Sequence, residues 1–380
     1  MKKILFLTNN WFGDYGGRRI VTSKIINNLS KVGYDITVAN FESGSWRKNY
    51  DFQNKTHTRT YSLKKNSKIA PHLREISKTG QFDLIICSGA PHFDIMTILT
   101  IKTFRLFTGA KIVLFAHVHP LRSIKIFSLS IRDTVFNLGY YVLSHVAYRL
   151  FNKIITPSIG LKNFFINRLS VDGKKIATIN NPIIKTKTSN IFLHKRTPSI
   201  IKKGLVLITV TRLNMFQKDF KTLFLALREI NSKISCRLII LGDGKDKRKI
   251  IELSKRLGIA NKIKLIGFKK DPINYISKAD IFVFSSFFEG FANVLIEAMA
   301  SGVPIVATDC DFGPKEIIKN EENGILVPVG DHKAMANAVK MLYESNKLRE
   351  KFINNGFKRV RDYDEIRSFR MWNKFINNEI

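Results

Sequence analysis

One pattern recurs along nearly the whole chain: a short, continuously apolar run, a turn, then a stretch with helical periodicity. In the first half the apolar runs are KKILFLTNN, DITVAN, FDLIICSG, KIVLFAH and NKIITPS. In the second half they are GLVLITVTRL, CRLIILGDG, KIKLIGF, DIFVFSS and VPIVATD. Strands apolar on both faces, with helices between them, build parallel sheets covered on both sides. At 380 residues the chain exceeds one ordinary core, so two domains are expected. The alternation lapses in PIIKTKTSNIFLHKRTPSIIKK, which is polar, basic and interrupted by prolines. The fold class is therefore α/β: two Rossmann-like, doubly wound parallel-sheet domains, residues 1–183 and 204–360, joined by a linker at 184–203. In such sheets ligands lie beyond the carboxyl ends of the strands, facing a cleft.

Composition removes several classes. Cys87, Cys236 and Cys310 are far apart and form no CxxC pair, so buried thiols are expected and no metal site or disulfide. No apolar run reaches the length of a membrane span, and the apolar part of MKKILFLTNN is too short for a signal peptide. A cytoplasmic protein is expected. The formal charge of +33 points to a polyanionic partner, unless a general lysine enrichment of the genome explains it. Residues 1–190 hold 29 Lys and Arg against 9 Asp and Glu, whereas residues 191–380 hold 34 against 21. Enrichment alone does not account for that asymmetry.

The segment FFEGFANVLIEAMASG, 287–302, sets Glu289 and Glu297 eight positions apart. It follows the strand ADIFVFSS, so Glu289 falls in the loop at a strand's carboxyl end and Glu297 about a turn inside a helix. Asn293 is the expected N-cap. The amides of Asn293, Val294 and Leu295 then form the positive end of the helix, where a phosphate fits. The alternative is two solvated charges. In TRLNMFQKDF, Arg212 and Lys218 lie in another strand-end loop, where two cations suit a departing diphosphate. A solvated basic loop is the alternative there. Gly16 and Gly17, in GDYGGRRI, open a helix after the first strand without a GxGxxG fingerprint. His117, in FAHVHP, ends a strand and suits a hydrogen bond to a sugar or an acceptor better than a metal.

These stretches resemble the retaining glycosyltransferases of family 4, which have the two-domain GT-B fold. EGFANVLIEAMASGVPIVATDC is similar to the family's Glu-x7-Glu segment, and TRLNMFQKDF to its Arg and Lys clamp. The first half matches more weakly, through the glycine turn, FAH and NKIITPSIGLKNF. The resemblance implies sugar transfer from a nucleotide diphosphate donor, with UDP expected, keeping the anomeric configuration and using no metal or other cofactor. It implies that Glu289 meets the donor sugar and is, with His117, most tied to catalysis. Arg212, Lys218, Gly16, Gly17, Val294 and Leu295 would meet the diphosphate. Phe291, Ala292 and Asn293 would hold sugar hydroxyls, Glu297 the ribose, and Phe268 lies where the base is read. It also implies that residues 361–380 form a helix crossing back to the first domain.

DCDFGPKEI resembles members acting on lipid-linked bacterial surface polysaccharides. A polyisoprenyl-diphosphate acceptor and an anionic membrane surface are thus the expected partners, with the protein peripheral on the inner face of the cytoplasmic membrane. The segment LRSIKIFSLSIRDTVFNLGYYVLSHVAYRLF mixes large apolar residues with Arg and Lys and suits a helix lying on lipid, or a core helix with a basic outer face. The competing functions are an epimerase or hydrolase of sugar nucleotides with the same fold, and a basic nucleic-acid-binding protein, for which no recognition motif is present.

Overall fold

The computed structural model describes residues 2–9, 17–41, 58–62, 69–120, 131–183 and 204–380. The expected linker at 184–203 and Gly16 lie outside these residues. The chain divides into two compact units, one of residues 1–182 with 366–380, the other of 183–365.

In the first unit the described residues form β1 (Lys3–Asn9), α1 (Gly17–Lys31), β2 (Asp35–Phe41), β3 (Thr58–Ser62), α2 (Ile69–Lys78), β4 (Leu84–Cys87), α3 (Pro91–Thr103), β5 (Lys111–Phe115), α4 (Ile131–Arg149), β6 (Lys153–Thr156), α5 (Ile159–Leu169) and β7 (Ile176–Thr178). The sheet order is β3-β2-β1-β4-β5-β6-β7, and every pairing is parallel. β1 and β4 mark the point where the strand order reverses.

The second unit holds β8 (Leu205–Val210), α6 (Phe220–Asn231), β9 (Cys236–Leu241), α7 (Lys247–Arg256), β10 (Ile263–Gly267), α8 (Ile273–Ile276), β11 (Ile281–Phe284), α9 (Asn293–Ala300), β12 (Ile305–Thr308), α10 (Pro314–Ile317), β13 (Ile325–Val327), α11 (His332–Glu344) and α12 (Asn346–Val360). Its order, β10-β9-β8-β11-β12-β13, is also wholly parallel, and it reverses between β8 and β11. Side-chain caps start the helices that follow polar turns. Asp219, Asp331 and Ser345 accept from Thr222 N, Ala334 N and Leu348 N at 3.0, 2.8 and 3.2 Å.

Three strands lie outside the apolar runs of the sequence: β3, β7 and β13. Each is an edge strand, β3 reads TRTYS, and the other two have three residues apiece. An edge strand has one neighbour and little apolar burial to advertise it.

The final helix, α13 (Glu365–Glu379), belongs to the first unit. Trp372 is fully buried there, with its ring centroid 4.8 Å from that of Phe115 in an edge-to-face contact. Ile376 joins the same core, among Ile4, Phe6, Val113 and Ile155. Tyr34 bonds Asn377 at 2.5 Å, and Lys111 pairs with Glu379 at 3.3 Å.

Candidate active site

The second unit gathers its polar residues at the carboxyl ends of β8 and β11, the two strands flanking its reversal. From the loop after β11, Glu289 turns inward and is 8 % exposed. From the loop after β8, Lys218 forms an ion pair with Glu289 Oε1. Both side chains are about nine-tenths buried, at 11 % and 10 % exposure, so the pair sits largely out of water. A buried carboxylate keeps its charge only when paired and fully hydrogen-bonded. Ser286 Oγ donates to Glu289 Oε1 at 2.9 Å, and Gln217 Nε2 donates to Oε2 at 3.2 Å. Lys218 Nζ also lies 4.8 Å from the centroid of the Phe284 ring.

The backbone holds these groups from several sides. Phe287 N donates to Gln217 O at 2.8 Å, and Asp219 N to Ser285 O at 3.2 Å, lacing the two loops together. Glu289 N donates to Asp311 O at 3.0 Å, which ties the glutamate to the loop after β12. Thr308 Oγ1 both accepts from Ser286 N and donates to Ser286 O, at 2.9 and 3.0 Å. Burial, and then the Glu289 charge, push the neighbouring Cys310 thiol well above its usual range, so it stays protonated.

Arg212 lies on the same β8 loop, half-buried, and its carbonyl accepts from Asn214 N at 2.9 Å. Two glycines fix this loop. A Cβ on Gly242, at φ +137°, would sit 1.8 Å from Thr211 O, and one on Gly244 would sit 2.4 Å from Leu213 O. The Gly-Asp-Gly turn after β9 thus lets one strand-end loop press on the backbone around Arg212. Leu213 N donates to Asp243 O and Asp246 N to Leu213 O, at 3.0 and 3.1 Å. Phe268 follows Gly267 at the end of β10, half-buried, and Gly267 O accepts from Gly242 N at 2.9 Å.

At α9 the structure departs from the expected cap. Asn293 is the first helical residue, and Ala292 occupies the N-cap in the left-handed region, at φ +61° and with no side-chain cap. Leu295 N donates to Ala292 O at 3.0 Å, so this amide is committed within the chain and is not available to a phosphate. Leu295 itself is fully buried, whereas Asn293, Val294 and Glu297 are partly exposed. The Phe291 side chain packs in the core, 5.5 Å from Tyr363 between centroids. Its backbone lies against Gly313, where a Cβ would come within 2.4 Å of Phe291 O.

In the first unit, His117 follows β5 and is 8 % exposed. Its Nε2 is 2.8 Å from Ser88 Oγ, beyond β4, and 3.2 Å from Thr22 Oγ1 of α1. Burial, with the Arg18 charge second, lowers its pKa well below the ordinary value, so the ring is neutral. Asp94, on α3, accepts from Gly89 N at 2.8 Å, and burial raises its pKa to about 8. Asn9 completes the cluster, accepting from Ala90 N at 2.8 Å on its side chain and from Arg18 at 3.0 Å on its carbonyl. Sequence reasoning found His117 but not Ser88, Thr22, Asp94, Asn9 or Arg18. The available signal was a polar residue ending each apolar strand run, as in LTN and CSG. Gly17 is the exposed first residue of α1.

Residues 191–359 match the family model "Glycosyl transferases group 1". The matched residues fall within the second unit. They include the paired Lys218 and Glu289. Among curated relatives, the chain is 31 % identical over 223 residues to N-acetylgalactosamine-N,N'-diacetylbacillosaminyl-diphospho-undecaprenol 4-alpha-N-acetylgalactosaminyltransferase of Campylobacter jejuni. That alignment spans 59 % of each protein. It is 25 % identical to the amylovoran biosynthesis glycosyltransferase AmsD of Erwinia amylovora, across 99 % of this chain and 100 % of the relative. Among solved structures, Anabaena HepE in complex with UDP-glucose superposes with a TM-score of 0.77 at 20 % identity, over the full length of both chains. The fold of the chain is GT-B.

Proposed function

We propose that the protein is a retaining, metal-independent glycosyltransferase of family 4. It moves a hexose or N-acetylhexosamine from a UDP-sugar to a lipid-linked or polysaccharide acceptor in bacterial surface-glycan synthesis. The observation that carries this reading is the buried Lys218–Glu289 pair at the strand reversal of the second unit. The relatives support the donor and acceptor classes. The Campylobacter relative is named for a diphospho-undecaprenol-linked acceptor, AmsD for amylovoran biosynthesis, and HepE is bound to UDP-glucose.

In this reaction the bond from the anomeric carbon to the β-phosphate oxygen breaks, and its electron pair leaves with the diphosphate. The acceptor oxygen bonds the anomeric carbon on the same face, and its proton passes to the departing phosphate. Lys218 and Arg212 supply fixed positive charge for that leaving group, which is most effective away from water. A diphosphate at Lys218 shares the ammonium with Glu289, leaving the carboxylate to accept from the donor sugar. The backbone at Ala292 and Asn293 meets sugar hydroxyls, Glu297 the ribose, and the Gly267–Phe268 turn the base. His117, neutral and held by Ser88, keeps an uncharged ring at the end of β5.

The test incubates the protein with UDP-sugars and an undecaprenyl-diphosphate glycan, with excess chelator, and assigns the product's anomeric configuration. Retention with UDP release, lost in Glu289→Gln, supports the reading. Inversion, or turnover that stops with chelator, overturns it.

A further inference from the structure

On α4, Phe136, Leu138, Val142, Leu143 and Val146 are all exposed, Leu138 at 64 %, Val142 at 55 % and Val146 at 52 %. Leu138, Val142 and Val146 recur every four residues, so they form a stripe spanning about 12 Å of one helix face. The opposite face holds Tyr140, Ser144, Ala147 and Tyr148, all buried in the unit. From Thr134 to Tyr148 the sequence contains no Lys, Arg, Asp or Glu. An outer helix face normally carries charge, and an apolar one of this length marks a contact surface.

Cations gather where the stripe ends. Arg149 is the next exposed residue, and Lys175 Nζ donates to Arg149 O at 3.0 Å. Lys153 Nζ donates to Lys174 O at 3.2 Å, and the Tyr141 hydroxyl donates to Arg168 O at 3.2 Å, which brings two further basic residues alongside. Residues 149–175 carry six Lys and Arg against one acid, Asp172. We propose that this face of α4 docks on an anionic lipid bilayer, with Leu138, Val142 and Val146 entering the acyl boundary and Arg149, Arg168 and Lys174 meeting the headgroups. The charge gathered at one end of the stripe selects the bilayer over a neutral apolar partner. Among the described residues of this region, the apolar stripe and the basic residues lie side by side. The assignment goes beyond the transfer reaction and does not rest on it.

The test pellets the full chain with vesicles of equal parts phosphatidylglycerol and phosphatidylcholine, and with phosphatidylcholine alone. The parent pellets with the first, and less so as salt rises. Val142→Glu with Val146→Glu lowers vesicle affinity by about tenfold or more, and Arg149→Glu with Lys174→Glu does the same on anionic vesicles. A Leu138→Trp variant shifts its emission to the blue when anionic vesicles are added. All variants are first shown to keep the parent's circular dichroism and melting temperature. Equal pelleting by the Val142/Val146 variant overturns the proposal. So does a Leu138→Trp blue shift that tracks protein concentration without vesicles, which would mean a second copy covers the face. No readout involves turnover, so a failed donor or product assay leaves this result standing.

Discussion

Lys218 and Glu289 reach each other from loops that follow β8 and β11, and form an ion pair whose side chains are only 11 % and 10 % exposed. Removing one partner leaves the other charged and desolvated. Lys218→Ala is expected to destabilise the second unit by about 3 kcal/mol. Urea unfolding of Lys218→Ala, Glu289→Gln and the double variant measures this. The double variant regains much of the loss, but neither single nor double variant regains turnover, which falls by about a hundredfold or more.

Gln217 and Ser286 orient the Glu289 carboxylate through one oxygen each. Gln217→Leu leaves Oε2 without that donor, at a cost of about 1–3 kcal/mol to the bonded geometry. The expected effect is a fall in kcat of about tenfold with little change in donor KM, since neither side chain is placed against the nucleotide. Steady-state kinetics with Gln217→Leu, and rescue by Gln217→Asn, which keeps an amide donor, separate positioning from simple loss of fold.

Gly242→Ala places its Cβ against Thr211 O and forces the Arg212 loop outward. Gly258→Ala, at φ +69° with nothing within 4 Å, carries only backbone strain of about 1–2 kcal/mol. Donor affinity therefore falls steeply in the first variant and stays near the parent's in the second. Calorimetric titration of UDP into both proteins checks the contrast.

His117 and Asp94 give the first unit opposing pH dependences. With its folded pKa depressed, His117 resists the proton that the unfolded chain takes up, so stability falls as pH drops below about 6.5. Asp94 stays protonated in the fold up to about 8, while its ordinary value is 3.8, so stability falls as pH rises from roughly 4 to 8. His117→Gln removes the acid-side loss, and Asp94→Asn removes the alkaline-side loss. Melting temperatures across this range for each variant read the two slopes separately.

Trp372→Ala removes the largest fully buried side chain among the described residues and leaves a cavity against Phe115. A loss of about 3–5 kcal/mol is expected. Because both residues lie in the first unit, a two-step unfolding curve should lose stability in one transition only.

Much of this architecture is legible from the alternation of apolar runs and helical stretches, because a strand buried on both faces has to be apolar throughout. β3, β7 and β13 escape that logic, being edge strands without such runs. At the site, Glu289 and Lys218 stand out as charges in strand-end loops, and the structure joins them. Gln217 and Ser286 do not stand out, since an amide and a hydroxyl carry no sequence signature until a carboxylate is placed beside them. The start of α9 misleads for a definite reason. Asn is the better capping residue by chemistry, but the backbone adopts the left-handed turn one position earlier, at Ala292, where the side chain gives no sign of it.

The chain leaves its first unit near residue 182 and re-enters it near 366. During synthesis, therefore, residues 1–182 wait for residues 366–380. Until Trp372 and Ile376 leave the ribosome, the hollow beside Phe115 is open to chaperones and proteases. The second unit, whose residues run unbroken from 183 to 365, can mature while that hollow is still unfilled. The order of assembly is thus the reverse of the order in which the two units begin.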